Sequence, residues 1–243
     1  WVGKYEITND QFRQFAPDHI CTTEDGGKYL EGRDINQRLQ PVVQVGLNAA
    51  KAFCDWLNEL LILDLPKGYH FRLPNGGEWM TYSKCGEDRT YPWGNEWPPT
   101  YGNYADAKSF AQIDAAVGWE YIHGYTDDYY VSAPVAESGR NEWGLYGVGG
   151  NVWEWTDETF DKEWNYETVE SCVVMRGGSW GTDQEKYLRC KGKRLLRPQF
   201  ADKGEPHVGF RVVLLREELA ASETKVANKS ELSIPLAPPS LTP

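Results

Sequence analysis

The amino-acid sequence predicts a loop-rich α+β domain, and three observations support this prediction. An apolar stripe at helical spacing runs through residues 48–63, and two shorter segments carry helix-start signals. Apolar or alternating segments near both ends are typical of short strands. Between them, residues 91–150 show turn signals without sustained periodicity. The chain has 243 residues, which is enough to bury one sizeable core.

The N-terminal part contains the clearest helices. Residues 2–8 (VGKYEIT) alternate as a strand does, and a short helix follows with Thr8 or Asn9 as N-cap and with Phe12 and Phe15 on one face. In the helix predicted over residues 48–63, one face carries the apolar residues Ala50, Phe53, Cys54, Leu57, Leu60 and Leu61.

The remaining elements are shorter. Residues 69–84 predict a short strand, a turn and a further short helix. Residues 91–150 need buried aromatic side chains, bound ions or both, because regular hydrogen-bond ladders are missing there. Residues 173–180 and 208–215 predict core strands. Past residue 216 the sequence becomes rich in Ala, Ser and Pro, so we expect a domain over 1–216 and a tail or linker over 217–243.

Composition limits the classes of partner. The formal net charge of −11 argues against nucleic acid, because phosphate binding needs a basic surface. No apolar run is long enough to cross a bilayer, so we expect no membrane insertion. The five cysteines are irregularly spaced without a CxxC pair, which leaves open a disulfide such as Cys172–Cys190. We expect a monomeric domain.

Seven segments occur in an order that resembles one known family. They are GKYEITNDQF, PVVQVGLNAAKAFCDWLN, FRLPNGGEWMTY, YPWGNEWPP, GLYGVGGNVWEWT, RGGSW and GFRVV. In this order they resemble the formylglycine-generating enzyme, or sulfatase-modifying-factor, family over about residues 1–214. The resemblance implies a C-type-lectin-like α+β fold with two main helices, small antiparallel sheets and many loops.

The sequence departs from this family at the catalytic site. Enzymes of the family oxidise a substrate cysteine with two copper-binding cysteines in the pattern GGS-x-x-C-x4-C, and here those positions are Thr182 and Tyr187. Neither supplies the thiolate that a soft Cu(I) ion needs, and Cys190 is the segment's single cysteine, so we expect no copper. The related iron-dependent sulfoxide synthases need clustered histidines, whereas the histidines here are scattered.

The resemblance also implies a first structural Ca²⁺ site in the turn-rich centre. Its ligands would be the side chains of Asn103 and Asp127 and the backbone carbonyls of Tyr104 and Tyr129. Oxygen ligands of this kind suit a hard cation, and an ion there would offset missing secondary structure. The alternative is an Asx-turn within a solvated acidic loop.

A second Ca²⁺ site implied by the resemblance matches less well. It would use the carbonyls of Gly150 and Val152 and the side chain of Glu154, but Gly147 stands where the family usually has Asn or Asp. The tryptophans on either side of Glu154 share one face of an extended segment, and we expect them in the core.

The segment between RGGSW and GFR is the predicted working surface. Residues 186–197 contain six Lys or Arg and no acid, which in an acidic chain indicates either a ligand-facing patch or a solvated loop with one arginine buried against a carbonyl. The predicted ligand-binding residues are Trp180, Thr182, Asp183, Gln184, Glu185, Tyr187, Arg189, Lys191, Lys193, Arg194 and Arg197.

Two classes of function follow. The first is a non-catalytic domain that displays residues 181–208 to a protein or other macromolecular ligand. C-type-lectin-like domains of this subfamily also serve as variable receptors of diversity-generating retroelements, mutagenised between the same two anchors. The resemblance therefore implies such a receptor, or a non-catalytic family member attached to a larger protein. The second class is a metal-dependent oxidase whose active site the sequence does not reveal.

Overall fold

A computed structural model describes residues 1–21, 33–110, 120–164 and 168–216. The predicted tail over 217–243 lies outside the described residues. In chain order the elements are α1 (Asn9–Phe15), α2 (Leu47–Leu60), β1 (Tyr69–Arg72), α3 (Gly76–Ser83), α4 (Ala107–Phe110), β2 (Trp153–Trp164), β3 (Thr168–Arg176), α5 (Glu185–Leu188), β4 (Arg194–Leu196), a 3-10 turn (Pro198–Phe200), β5 (Val208–Gly209) and β6 (Val213–Arg216). The predicted α+β class is confirmed.

Capping side chains explain where two helices begin. The Thr8 side chain caps α1 by accepting a hydrogen bond from the backbone N–H of Gln11. In return, the Gln11 side-chain oxygen accepts one from the backbone N–H of Thr8. Asn75 and Glu78 form the same reciprocal arrangement at the start of α3. These bonds satisfy amides that the first turn of a helix leaves unpaired.

Two small sheets carry the strands. The larger has the order β4-β3-β2-β5, with β2 and β3 antiparallel and β5 parallel to β2. The smaller pairs β1 with β6, and beside it the amino nitrogen of Trp1 donates to the Leu214 carbonyl while the Trp1 carbonyl accepts from the Leu214 amide. The register of β2 shifts between Trp155 and Thr159, which turns the outer half of the β2–β3 ribbon relative to the inner half.

Three strand predictions need correction. Residues 2–8 make only isolated bridges, at Val2 and Thr8. The strand predicted over 173–180 begins earlier, at Thr168, and ends at Arg176, because Gly177 and Gly178 adopt positive φ angles of 102° and 79° that a strand does not accommodate. The strand predicted over 208–215 is interrupted between β5 and β6.

The main core lies between α1, α2 and the inner part of the larger sheet. Trp153 and Trp155 are buried in it, as expected, and the Trp155 indole donates to the Val45 carbonyl at 2.8 Å. All five cysteines are buried and unpaired, so the disulfide Cys172–Cys190 is absent. Within the described ranges, no helix has the length and apolar character needed to cross a membrane.

Candidate functional site

The first copper position of the family holds a hydroxyl that closes a tight turn. The Thr182 side-chain oxygen accepts from the Ser179 amide at 3.0 Å, and the Thr182 amide donates to the Ser179 carbonyl at 2.9 Å. The Thr182 carbonyl accepts from Ala105, which fixes the turn to the central loop. Thr182 is buried, so its hydroxyl serves the backbone of this turn.

The second copper position is part of the core boundary. Tyr187 lies on α5, where its half-buried ring meets the edge of Trp153 with the ring centroids 5.7 Å apart. Lys186 places its ammonium 4.7 Å from the centroid of the same ring. A phenol packed in this way contributes apolar contact and a cation–π interaction rather than a metal ligand.

Exposed and buried side chains alternate through the predicted ligand segment. Gln184, Lys186, Arg189 and Lys191, which we call the display positions, are exposed. Between and around them the buried residues are Thr182, Leu188, Cys190 and Gly192. Burial anchors the segment to the core while the display positions face solvent, so this part of the chain has the geometry of a supported surface.

Two of the predicted ligand-facing residues are inside the protein. Trp180 is only 2% exposed and packs with Val43, Val131 and Val152. Thr182 is 7% exposed and closes the turn described above. We predicted Trp180 at the rim of the ligand surface and Thr182 among the ligand-binding residues; the structure instead buries both side chains, because both lie before the point where the segment reaches the surface.

Four of the six basic side chains over residues 186–197 form ion pairs, three of them with acids from elsewhere in the fold. The ion pairs are Arg189–Glu185 at 2.6 Å, Lys193–Glu158 at 3.9 Å, Arg194–Glu205 at 2.7 Å and Arg197–Glu170 at 3.3 Å. The predicted basic patch therefore carries less net positive charge than its sequence alone suggests. Asp183 is half-buried at the start of the segment.

An aromatic group borders the segment, and the sequence reasoning missed it. Tyr91 donates its hydroxyl to Glu185, and its ring stacks on Trp93 with a centroid separation of 4.8 Å. Trp97 is 38% exposed, and the centroid of its ring lies 5.7 Å from that of Tyr91. The signal was present in YPWGNEWPP, where three aromatic residues follow one another in a turn-rich stretch.

At the predicted first cation site, Asn103 has an orphaned amide oxygen and Asp127 has a half-buried carboxylate. The Asn103 NH2 group donates to Val131 O at 2.8 Å and to Asn151 Oδ1 at 3.0 Å, and its buried Oδ1 has no partner. The Asp127 carboxylate accepts from the amides of Tyr104 and Tyr129 at 3.1 and 2.8 Å. Burial raises the pKa of Asp127 to about 7. These oxygen donors fit a hard cation, which would stabilise the half-buried charge.

At the predicted second cation site, the Glu154 carboxylate is fully occupied. Its Oε1 accepts from Arg211 at 3.0 and 2.7 Å, and its Oε2 accepts from Trp79 at 2.8 Å and Tyr82 at 3.4 Å. Both Glu154 and Arg211 are almost completely buried. A carboxylate held by a guanidinium and two further donors does not fit the role of a calcium ligand as the residue stands.

Glu6 occupies the space beside Gly147 that a side chain at that position would need. A Cβ on Gly147 would lie 2.3 Å from Glu6 Oε1. Glu6 is buried, its Oε2 has no partner, and burial raises its pKa to about 8. Sequence reasoning missed this residue, although an acid inside the alternating segment KYEIT was a signal for a buried polar role.

The cysteines and histidines do not assemble into a further metal site. Among the residues with described coordinates, no group of three or more His, Cys, Asp or Glu side chains is arranged to hold a metal ion. Burial raises the pKa of Cys190, the thiol nearest in sequence to the family's copper positions. A protonated, buried thiol is a poor ligand for a soft metal.

The relatives of this chain include both a protein named inactive and a protein named as an enzyme. A bovine protein named inactive C-alpha-formylglycine-generating enzyme 2 is 33% identical over 153 residues, covering 61% of this chain and 42% of that protein. The formylglycine-generating enzyme of Thermomonospora curvata is 32% identical over 145 residues, covering 58% of this chain and 41% of that enzyme. The chain thus matches less than half the length of either relative.

A solved structure supports the same fold. Treponema denticola variable protein 1 superposes with a TM-score of 0.55 at 20% identity, covering 88% of this chain and 84% of that chain. At this identity the likeness concerns the fold alone. The model of the family described as sulfatase-modifying factor enzyme 1-like domain matches residues 1–215. The chain therefore belongs to the family of sulfatase-modifying factor enzyme 1-like domains.

Proposed function

We propose that this domain is non-catalytic and binds a macromolecular ligand, most simply a protein, through the display positions and the adjoining Trp97. The single observation that carries the proposal is the fate of the two copper positions. Thr182 uses its hydroxyl to close a turn, and Tyr187 packs its ring on Trp153. Oxidation of a substrate cysteine by the family's chemistry needs two thiolates at these places.

The thiols elsewhere in the chain support the same proposal. All five cysteines are buried. Burial raises the pKa of Cys54 to about 12 and also raises the pKa of Cys21. Thiols of this kind are inert toward metals and oxidants compared with exposed thiolates.

The display positions support a receptor of the variable type. They alternate with buried anchors, so different side chains can be presented without repacking the core. The fold shared with Treponema denticola variable protein 1 is consistent with this use of the scaffold. Trp97 extends the surface with an aromatic side chain, a type enriched among residues that dominate binding energy, and the buried Tyr91 ring packs against it.

We further propose that Asn103 and Asp127 hold a structural Ca²⁺ with the carbonyls of Tyr104 and Tyr129. The orphaned oxygen of Asn103 and the half-buried Asp127 carboxylate, whose pKa desolvation raises, support this assignment. The ion would supply charge compensation to a loop with little regular structure. We assign no calcium to the Glu154 carboxylate, because Arg211 already compensates it.

A catalytic assay tests the non-catalytic part of the proposal. The purified chain is loaded with Cu(I) and incubated with oxygen and a cysteine-containing peptide, with mass spectrometry detecting aldehyde. We expect no product and no tight stoichiometric Cu(I) binding. The matched control is an authentic formylglycine-generating enzyme under the same conditions. Conversion of the peptide by this chain would overturn the proposal.

Sequencing of the same gene from sibling isolates tests the receptor part. We expect nucleotide differences to concentrate at the codons of Gln184, Lys186, Arg189 and Lys191, with the codons of Leu188 and Cys190 constant. Equal variation at displayed and buried codons, or no excess over the flanking strands, would contradict a variable receptor. The catalytic assay is independent of this result.

A further inference from the structure

A chain of buried amide hydrogen bonds leads from Glu6 to the proposed calcium site. The Asn151 NH2 group donates to Glu6 Oε1 at 3.0 Å and to the Ala133 carbonyl at 3.3 Å. The Asn151 Oδ1 accepts from the Ala133 amide at 2.8 Å and from Asn103 Nδ2 at 3.0 Å. Glu6, Asn103 and Asn151 are all buried.

Each amide in this chain has only one orientation that satisfies its neighbours. A side-chain amide carries donors on nitrogen and acceptors on oxygen, so reversing it exchanges the two. The acceptors on Glu6 and Ala133 require the NH2 group of Asn151 on their side, which turns its oxygen toward Asn103. The NH2 group of Asn103 then faces this oxygen and the Val131 carbonyl. Its own oxygen is left without a protein partner.

The backbone holds Asn151 in the position that this chain requires. Its φ angle is 63°, a left-handed conformation that Asn adopts more readily than most residues. Its amide donates to the Asn103 carbonyl at 2.9 Å, and its carbonyl accepts from Trp180 at 2.9 Å. Main chain and side chain of Asn151 therefore both bind Asn103, which limits how far the Asn103 oxygen can move.

We propose that Asn151 and Glu6 are positioning residues that aim the Asn103 oxygen at the calcium site, without binding the ion themselves. The inference rests on the calcium site proposed above. Glu6 fixes the orientation of the Asn151 side-chain amide, and Asn151 in turn fixes the orientation of the Asn103 side-chain amide. The free Asn103 oxygen is the result.

Calcium titration calorimetry on folded protein tests the inference. Asn151→Gly keeps a residue that accepts the left-handed backbone but removes the amide, and we expect calcium affinity to fall about tenfold, which is about 1.4 kcal/mol. The double variant Glu6→Gln/Asn151→Asp exchanges donor and acceptor between the two positions and preserves net charge. Its new carboxylate still accepts from Asn103, so we expect affinity within about threefold of the unmodified chain, or about 0.6 kcal/mol.

Two controls separate the possible results. Asp127→Asn removes a proposed ligand and should abolish the titration, while circular dichroism in EDTA verifies that every variant is folded at the titration temperature. Unchanged affinity in Asn151→Gly would overturn the positioning role. Equal loss in Asn151→Gly and in the double variant would also overturn it, since a merely structural role predicts no rescue. If the unmodified chain and Asp127→Asn both fail to bind calcium, the site itself is wrong and the inference falls with it.

Discussion

Replacing Arg211 with methionine removes a buried cation that four hydrogen bonds hold in place. Arg211 donates twice to Glu154 Oε1, and it also donates to the carbonyls of Gly3 at 2.9 Å and Tyr146 at 2.6 Å. Burial alone would lower the pKa of Arg211, but Glu154 and Glu6 outweigh it and raise that pKa. The guanidinium is therefore charged and held by these four hydrogen bonds.

The expected cost follows from what the substitution leaves behind. Methionine fills much of the volume, but the buried Glu154 charge loses its cation and two backbone carbonyls lose their donors. Removing one partner of a buried ion pair costs about 3–5 kcal/mol. At a urea dependence of about 2–3 kcal/mol per molar, the midpoint should fall by roughly 1–2.5 M.

Urea unfolding followed by tryptophan fluorescence measures this effect. The matched control is Arg38→Ala, which breaks an ion pair with Asp10 whose side chains are 78% and 41% exposed. Such an exposed pair contributes about 0–1 kcal/mol. The double variant Arg211→Met/Glu154→Gln should lose less than the two single losses added together, because it leaves no unpaired charge. A midpoint for Arg211→Met that matches the Arg38→Ala control would refute the reasoning.

Two further predictions concern the pH dependence of stability and a glycine contact. Burial opposes ionisation of Glu205, yet hydrogen bonds from His207 and Arg194 lower its pKa from 4.5 to about 2. The stability that the ionised Glu205 contributes should be complete above pH 4.5 and lost as the pH falls toward 2. The unfolding free energies of Glu205→Gln and of the unmodified chain should therefore converge at low pH. A difference that stays constant with pH would contradict this. Gly147→Ala places a Cβ 2.3 Å from Glu6 Oε1 at a φ of 65°, and we expect thermal unfolding to reveal a loss of about 1–3 kcal/mol; an unchanged midpoint would contradict the close approach.

Local signals predicted the helices well because their information lies within a few residues. Thr8 and Asn75 cap helices through side chains three positions from their partners, and most of the stripe containing Phe53 lies within α2, although the helix ends at Leu60 and not at residue 63 as predicted. The strands were less accessible, since pairing depends on distant residues. The N-terminal segment alternates like a strand but forms only bridges at Val2 and Thr8.

The candidate site shows the same division. The loss of the copper cysteines at Thr182 and Tyr187 can be seen in the sequence, because it depends on identity at fixed spacing. The ion pairing of the basic run cannot be seen in the sequence. Its partners Glu158 and Glu205 lie outside the run and come close to it only in the folded protein. Glu6 was missed for a related reason, since its hydrogen-bond partner Asn151 is 145 positions away in the sequence.

The alternation of anchors and display positions has a consequence for how this protein can change over generations. Substitutions at solvent-facing positions away from special contacts usually alter stability by less than about 0.5 kcal/mol. Leu188 and Cys190, each almost fully enclosed, carry the folding energy of the segment instead. Exposed side chains and core anchors are thus encoded by different codons in one short stretch, so the exposed positions can change over generations while the frame is inherited unaltered.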